Sequence, residues 1–381
     1  MTLKAPIRIL ADENMPMIDR MCEGLGEVVL RPGRHITPAD LVDIDALLVR
    51  SVTRVDEALL RDSPVRFVGT ATIGTDHLDL EYLNRVGISH GSAPGCNAEA
   101  VVDYVLSAVF LLAEQQGFDP CRLTWGVVGV GNVGGRLASR LQAMGCHVLL
   151  NDPLRAKNES GFTCLESVLS DADIVCLHTP LTRQGDAPTY HLFNESRLKQ
   201  LRPDAVLLNA GRGPVIDNVA LLNVAQQRPD LQLIMDVWEH EPQVSLPLAE
   251  HCKLISPHIA GYSLDGKIRG SYMVYQALAK CIGATEQQSL QTFLPATAAG
   301  AVAVEHLSPA QVMRQVYDPG VDDSLLRATL TSCATQAEAF DRLRREYRVR
   351  REFSSLQVQA GQQSSLYQAM GFKLAEPTDL P

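Results

Sequence analysis

Residues 126–141 read GVVGVGNVGGRLASRL, with glycines at 129, 131 and 134 in the spacing G-x-G-x-x-G. Three glycines alone constrain little. Their flanks constrain a great deal. The apolar run WGVVGV leads into Gly129 as a strand, and NVGGRLASRLQAM leads out with apolar residues at helical spacing. The first glycine permits the tight turn, the second lets a ligand approach the backbone, and the third brings helix and strand together. The helix then offers its first N–H groups and positive dipole end to phosphates. Next comes HVLLND, a second strand ending at Asp152. An acid there accepts hydrogen bonds from ribose hydroxyls and repels a 2′-phosphate, which favours NAD over NADP. The expected cofactor contacts are Gly129, Gly131, Asn132, Val133, Gly134 and Asp152, with Thr179, Asp236 and Gly261 from later strand ends.

This unit sits within a longer alternation. WGVVGV, HVLLND, DIVCLHT, AVLLNA, LQLIMDV and KLISPH are strand-like, with helical stretches between them. The first 93 residues show the same rhythm through IRILA, EVVL, ALLVR, RFVGT and GISHG. Such alternation predicts parallel sheets covered by helices. AEAVVDYVLSAVFLLAEQQ (98–116) is apolar nearly all round and is expected to be a helix buried between two bodies. The expected division is 1–97 with 261–285 as a discontinuous first domain, 98–260 as the dinucleotide domain, and 286–381 as an appended domain. At 381 residues the chain is long enough for this.

Composition removes some function classes. A net charge of −10 disfavours a general nucleic-acid or anionic-membrane binder. No apolar run reaches the roughly 20 residues that span a bilayer. The N-terminus lacks a signal-peptide pattern, and nine dispersed cysteines without a C-x-x-C pair suit reduced thiols rather than a metal site. A cytoplasmic location is the expectation.

Ligands of open parallel sheets lie beyond the carboxyl ends of the strands. There the sequence places Arg212 after AVLLNA, Glu241 after LQLIMDV, and His258 after KLIS. These three types suit hydride transfer at a 2-hydroxy acid. Histidine can take the hydroxyl proton. A carboxylate beside the imidazole fixes its tautomer and favours its protonated form. A guanidinium grips a substrate carboxylate bidentately.

The motifs LNAGRGPVID, MDVWEHEP and SPHIAGYS resemble those of the D-isomer-specific 2-hydroxyacid dehydrogenases. The resemblance covers about residues 6 to 285 and implies that Arg212, Glu241 and His258 are catalytic. It also implies an α/β architecture of two doubly wound parallel-sheet domains, a flavodoxin-like substrate domain and a Rossmann NAD domain. A small α+β C-terminal domain would follow them. One departure is AVVDYVL at 100–106, where many members begin the helix Val-Ala-Glu.

Within the family, ILADENMP, LLVRSVTRV, VGTATIGTDHLD and GCNAEAVVDYV resemble a branch that oxidises 4-phospho-D-erythronate in vitamin B6 synthesis. A member acting on 3-phosphoglycerate, or an NAD-sensing binding protein on the same fold, remain alternatives. Arg50, Ser51 and Thr72 at strand ends, and Tyr262 after His258, are candidate contacts for the phosphorylated substrate. FDRLRREYRVRREF (340–353) holds six arginines against three acids. Its simplest reading is a solvated helix face followed by a strand. A sharper one makes the C-terminal domain a homodimer interface that lends Arg344, Arg348 or Arg350 to the partner's phosphate site.

Overall fold

The computed structural model describes residues 6–375, apart from 286–287, 298–299 and 333–334. The chain forms two compact units, one from residues up to Asn97 with Ser263–Ala296, the other from Ala98–Tyr262 with the residues from Thr297 on.

The first unit is built on five parallel strands: β1 (Ile7–Asp12), β2 (Gly26–Arg31), β3 (Ala46–Val49), β4 (Phe67–Thr70) and β5 (Ser89–Gly91). Their order β2-β1-β3-β4-β5 is flavodoxin-like. The helix Leu264–Ile282 returns to this sheet from far along the chain. Ser263 caps it by accepting from the Gly266 N–H at 2.8 Å, and Gly283 stops it in the left-handed region at φ 70°. It lies close because Gly69 and Gly91 carry no side chain: a Cβ would meet Val274 at 2.5 Å and Ala277 at 2.9 Å.

The second unit holds six parallel strands: β6 (Thr124–Val128), β7 (His147–Asn151), β8 (Ile174–Leu177), β9 (Val206–Asn209), β10 (Gln232–Met235) and β11 (Cys252–Ile255). The order β11-β10-β9-β8-β6-β7 puts the topological switch between β6 and β8, where the glycine turn leaves β6. All six expected strand runs form. Among the described residues the Rossmann pattern has no further strand beyond β7, where a backbone bond from Thr163 N to Leu150 O (2.7 Å) occupies that edge.

The helix Ala98–Gln116 is buried from Ala98 to Ala113 except at Glu99. It belongs to the second unit, and its apolar circumference has a cause inside that unit. One core joins its residues to sheet residues such as Trp125, Val127 and Ile234, and to Val312, Met313, Tyr317, Phe353 and Tyr367 of the C-terminal segment. Each such fully buried aliphatic side chain contributes about 1.5–3 kcal/mol. That shared core binds the C-terminal segment to the dinucleotide sheet. A small third sheet, β12 (Val302–Ala303), β13 (Gln357–Gln359) and β14 (Lys373–Leu374), lies in the same unit. Among the described residues no helix is long and apolar enough to cross a membrane.

Candidate active site

Strands β9, β10 and β11 are neighbours, so residues just past their carboxyl ends share one edge of the sheet. Arg212 follows β9. Asn209 shapes its turn, accepting from Gly211 N and donating to the Arg212 carbonyl, both at 3.1 Å. Gly213 is obligatory, since a Cβ there would lie 1.9 Å from the Trp238 carbonyl oxygen. The Arg212 guanidinium is exposed and its Nη1 donates to the Gly211 carbonyl at 2.9 Å. Its outer face is therefore available to a carboxylate.

Glu241 and His258 are in direct contact, with 2.7 Å between Glu241 Oε2 and His258 Nδ1. The other carboxylate oxygen accepts from Trp238 N at 2.8 Å, which fixes the plane of the group. Burial alone would push the Glu241 carboxyl up, but the hydrogen bond and charge of His258, the Trp238 N–H and the Arg344 charge outweigh it and hold it lowered. It is therefore ionised at neutral pH. With Nδ1 committed to Glu241, Nε2 has no protein hydrogen-bond partner among the described residues and can serve the substrate.

His258 sits at φ 56°, a left-handed conformation that costs a non-glycine residue about 1–3 kcal/mol and persists only where its surroundings impose it. Asp236 imposes it. Its carboxylate, 1% exposed, accepts from Ser256 Oγ (2.6 Å), Ile259 N (2.8 Å) and Ala260 N (3.1 Å), while its carbonyl takes the His258 N–H at 2.7 Å. Burial raises the Asp236 carboxyl, against the pull of His258 and these donors. Tyr104 of the Ala98–Gln116 helix extends the network through a 2.8 Å bond to Ser256 Oγ. Arg350, 3% exposed, holds the loop from behind by donating to the carbonyls of Ala260 and Ala100. Asp236 was expected as a cofactor contact; Oδ2, with one internal donor, keeps acceptor capacity for that role.

The dinucleotide turn has the required shape. Gly129 adopts φ 86°, and a Cβ there would lie 2.7 Å from Thr179 N. A Cβ on Gly134 would lie 2.0 Å from the Gly129 carbonyl oxygen, so only glycine lets helix and turn approach. Gly131 faces open space and no side chain caps the helix Asn132–Ala143 that it begins, leaving first-turn amides for an anion. Asp152 accepts from Val130 N at 3.0 Å and Arg155 N at 3.1 Å, one per oxygen, and keeps lone pairs for ribose hydroxyls. Thr179 Oγ1 is buried with no partner among the described residues, an orphan that a ligand on this edge would satisfy. Gly261, half-buried, lies in the turn Ala260–Gly261 just beyond His258. These features fit a dinucleotide.

The erythronate-4-phosphate dehydrogenase of Pseudomonas entomophila (strain L48) is 50% identical over 96% of this chain and 98% of its own length. The chain belongs to the erythronate-4-phosphate dehydrogenases. A second member, from Pseudomonas fluorescens (strain Pf0-1), is 51% identical over 92% of this chain and 94% of its own. The model of the D-isomer specific 2-hydroxyacid dehydrogenase NAD binding domain matches residues 111–260, and a domain of unknown function, DUF3410, matches 295–371. Among solved structures, the TT0316 protein from Thermus thermophilus aligns with TM-score 0.60 and 27% identity, covering 74% of this chain and 99% of that one. D-Lactate dehydrogenase from Aquifex aeolicus, complexed with NAD and lactic acid, aligns with TM-score 0.54 and 25% identity over 72% of this chain and 96% of its own.

In this erythronate-4-phosphate dehydrogenase family member, the remaining candidates divide between the units. Arg50 and Ser51 directly follow β3 in the first unit, with Ser51 exposed. Thr72, just past β4, bonds to Thr70 Oγ1 (2.7 Å) and donates to the Gly74 carbonyl (2.9 Å). Lys267 was not among the sequence candidates; its ammonium is held below the usual range by burial and by the Arg50 charge. The first unit therefore carries two neighbouring cations.

The arginine-rich segment is not one solvated face. Arg348 is paired with Asp322, and Arg350 is buried against carbonyls of its own chain. Neither is available to a partner's phosphate site, which removes two of the three arginines considered for that role. Arg344 is different. Its guanidinium carbon lies 5.9 Å from the ring centre of Tyr262, and Tyr262 meets Tyr347 edge-on at 5.6 Å. A second pair that sequence reasoning missed lies nearby, with His191 Nε2 at 2.5 Å from Glu239 Oε1 and Nδ1 at 3.6 Å from Asp217. The short segment TYHLFN carries no motif that would have announced it.

Proposed function

We propose that this chain oxidises 4-phospho-D-erythronate at C2 to (R)-3-hydroxy-2-oxo-4-phosphooxybutanoate, with NAD as the oxidant, as a step of pyridoxine biosynthesis. The observation that carries the chemistry is the 2.7 Å contact of His258 with Glu241, with Arg212 following a neighbouring strand on the same sheet edge. The observation that carries the substrate is 50% identity to named erythronate-4-phosphate dehydrogenases over nearly the whole chain.

Bound NAD supplies the hydride acceptor. His258 Nε2 takes the C2 hydroxyl proton, and the ionised Glu241 steadies the imidazolium that results. Arg212 grips the C1 carboxylate and polarises the C2 oxygen as it becomes a carbonyl. In the reverse direction the same imidazolium returns the proton. Gly129, Gly131, Asn132, Val133, Gly134 and Thr179 hold the cofactor phosphates and nicotinamide side, Asp152 the ribose, and Asp236 and Gly261 the carboxamide end. Arg50, Ser51, Thr72 and Tyr262 are proposed substrate contacts. Asp152→Ala is expected to erode the preference for NAD over NADP by roughly 10- to 100-fold, the value of one or two charge-assisted hydrogen bonds, with Arg155 beside it to receive a 2′-phosphate. An unchanged ratio of kcat/KM for the two cofactors would mean another group reads the ribose.

We further propose a homodimer formed through the C-terminal segment. Supporting it are Val321, Leu325 and Val349, which are 42%, 47% and 78% exposed and would gain from a covered interface. NADH formation with 4-phospho-D-erythronate and 3-phosphoglycerate side by side tests the substrate. Preference for the longer acid supports the assignment; preference for 3-phosphoglycerate replaces it, and no turnover with either favours a binding protein.

A further inference from the structure

The substrate proposed above carries two anions, a carboxylate and a terminal phosphate of about −1.5 to −2 charge. Arg212 answers the first. The second needs its own cation, and the C-terminal segment brings one to the loop that bears His258.

Three residues of 344–350 touch that loop. Arg350 donates to the Ala260 carbonyl at 3.2 Å, Tyr347 packs edge-on against Tyr262, and the Arg344 guanidinium lies over the Tyr262 ring. Arg344 leaves the last turn of the helix Gln336–Arg345, and its guanidinium carbon also lies 5.9 Å from the ring centre of Phe340, one turn earlier and fully buried. Such stacking fixes a guanidinium in place while leaving its edge of N–H donors free to bond. Arg344 Nε is buried without a hydrogen-bond partner, and among the described residues no carboxylate lies within ion-pair distance of the group. Its neighbours on the same stretch have such partners: Arg348 pairs with Asp322 and Arg345 with Glu346. A half-buried guanidinium lacking acceptors is costly unless an anion completes it. Its charge also helps to hold the Glu241 carboxyl down.

We propose that Arg344, with the Tyr262 hydroxyl, forms the subsite for the substrate's terminal phosphate, and that it does so within its own chain. The proposal rests on the phosphorylated-hydroxy-acid reading of the site. It gives the appended segment a part in specificity: the phosphate is read by a helix outside the dinucleotide-domain match, which ends at residue 260.

The test compares the full-length parent with Arg344→Gln and Arg344→Lys, on 4-phospho-D-erythronate and on D-erythronate, with inorganic phosphate binding to the NADH-loaded protein measured by calorimetry. For Arg344→Gln, KM for the phosphorylated acid is expected to rise roughly 10- to 100-fold, with kcat changed less than about threefold. That loss should exceed the loss on D-erythronate at least tenfold, phosphate affinity should fall in parallel, and Arg344→Lys should recover part of both. Equal losses on the two acids, or undiminished phosphate affinity, overturn the subsite. Co-expressing Arg344→Gln with His258→Ala chains decides the same-chain claim: no activity beyond the separate chains is expected, and recovered activity would hand Arg344 to a partner's site. A parent inactive on 4-phospho-D-erythronate defeats the substrate reading alone, because the phosphate titration still decides Arg344.

Discussion

Two histidine–glutamate pairs draw their acids from positions two residues apart along one segment, and they differ in what each leaves open on its imidazole. His258 bonds Glu241 and His191 bonds Glu239, and both histidines occupy left-handed backbone, at φ 56° and 51°. His191 is held at both ends: Glu239 takes Nε2, Asp217 faces Nδ1, and its own N–H bonds the Pro214 carbonyl. Glu239 in turn accepts from Asn218 N at 2.9 Å. That pair fastens the 212–218 turn to the 238–241 segment and leaves no nitrogen for a substrate. His258 has one nitrogen committed and one open. A histidine that moves protons needs that asymmetry, and a histidine that only ties loops does not.

Substitutions can break this comparison. The largest effect is expected from His258→Ala, a loss of about 10³- to 10⁴-fold in kcat with NAD affinity kept, against less than tenfold for His191→Ala. Steady-state rates with fluorescence titration of NADH check both, and comparable losses would erase the distinction. Next is Glu241→Gln, which keeps the shape but removes the charge. It should cost about 10²-fold in kcat, whereas Glu239→Gln should leave kcat within tenfold and cost about 1–3 kcal/mol of stability by weakening a buried acceptor. Denaturant unfolding of the two variants separates them. Arg350→Met is expected to do some of each: it leaves buried carbonyls unpaired behind the His258 loop, and should lower both stability, by about 2–4 kcal/mol, and kcat.

A third histidine marks the far end of the comparison. His178, just past β8, has both ring nitrogens buried and unpartnered, and burial pushes its imidazole down to about 4. The folded state therefore resists a proton that the unfolded chain accepts near pH 6.5. Stability from this source is complete above that pH and is lost as pH falls toward 4, up to about 3 kcal/mol in all. Chemical unfolding at pH 7, 5.5 and 4.5 should show this slope, flattened in His178→Phe.

What the sequence revealed follows from how local each signal is. The glycine turn, the strands around it and Asp152 lie within 27 residues of one another and each carries its own chemistry, so they were legible. The placing of Arg212, Glu241 and His258 on one sheet edge was legible because parallel topology sends every strand end there, and only residue types had to be read. The loop's supports were not. Asp236 was legible as a strand-end acid, but not the three internal donors through which it holds the His258 loop, and Tyr104 reaches Ser256 across 152 residues. Arg350 reaches Ala100 across 250. Nothing in FDRLRREYRVRREF separates a buried arginine from an exposed one, because its partners are carbonyls that any residue could supply. The C-terminal segment is less separate than its composition suggests for a related reason. Its apolar residues complete a core begun by the Ala98–Gln116 helix, far away in the chain.

The most direct measurement is the pH dependence of kcat/KM for 4-phospho-D-erythronate between pH 5.5 and 9.5, in the parent, Glu241→Gln and Glu239→Gln. The account predicts an acidic limb that changes position in Glu241→Gln and stays in place in Glu239→Gln. A limb that ignores Glu241, or follows Glu239 instead, would contradict the claim that His258 carries the proton.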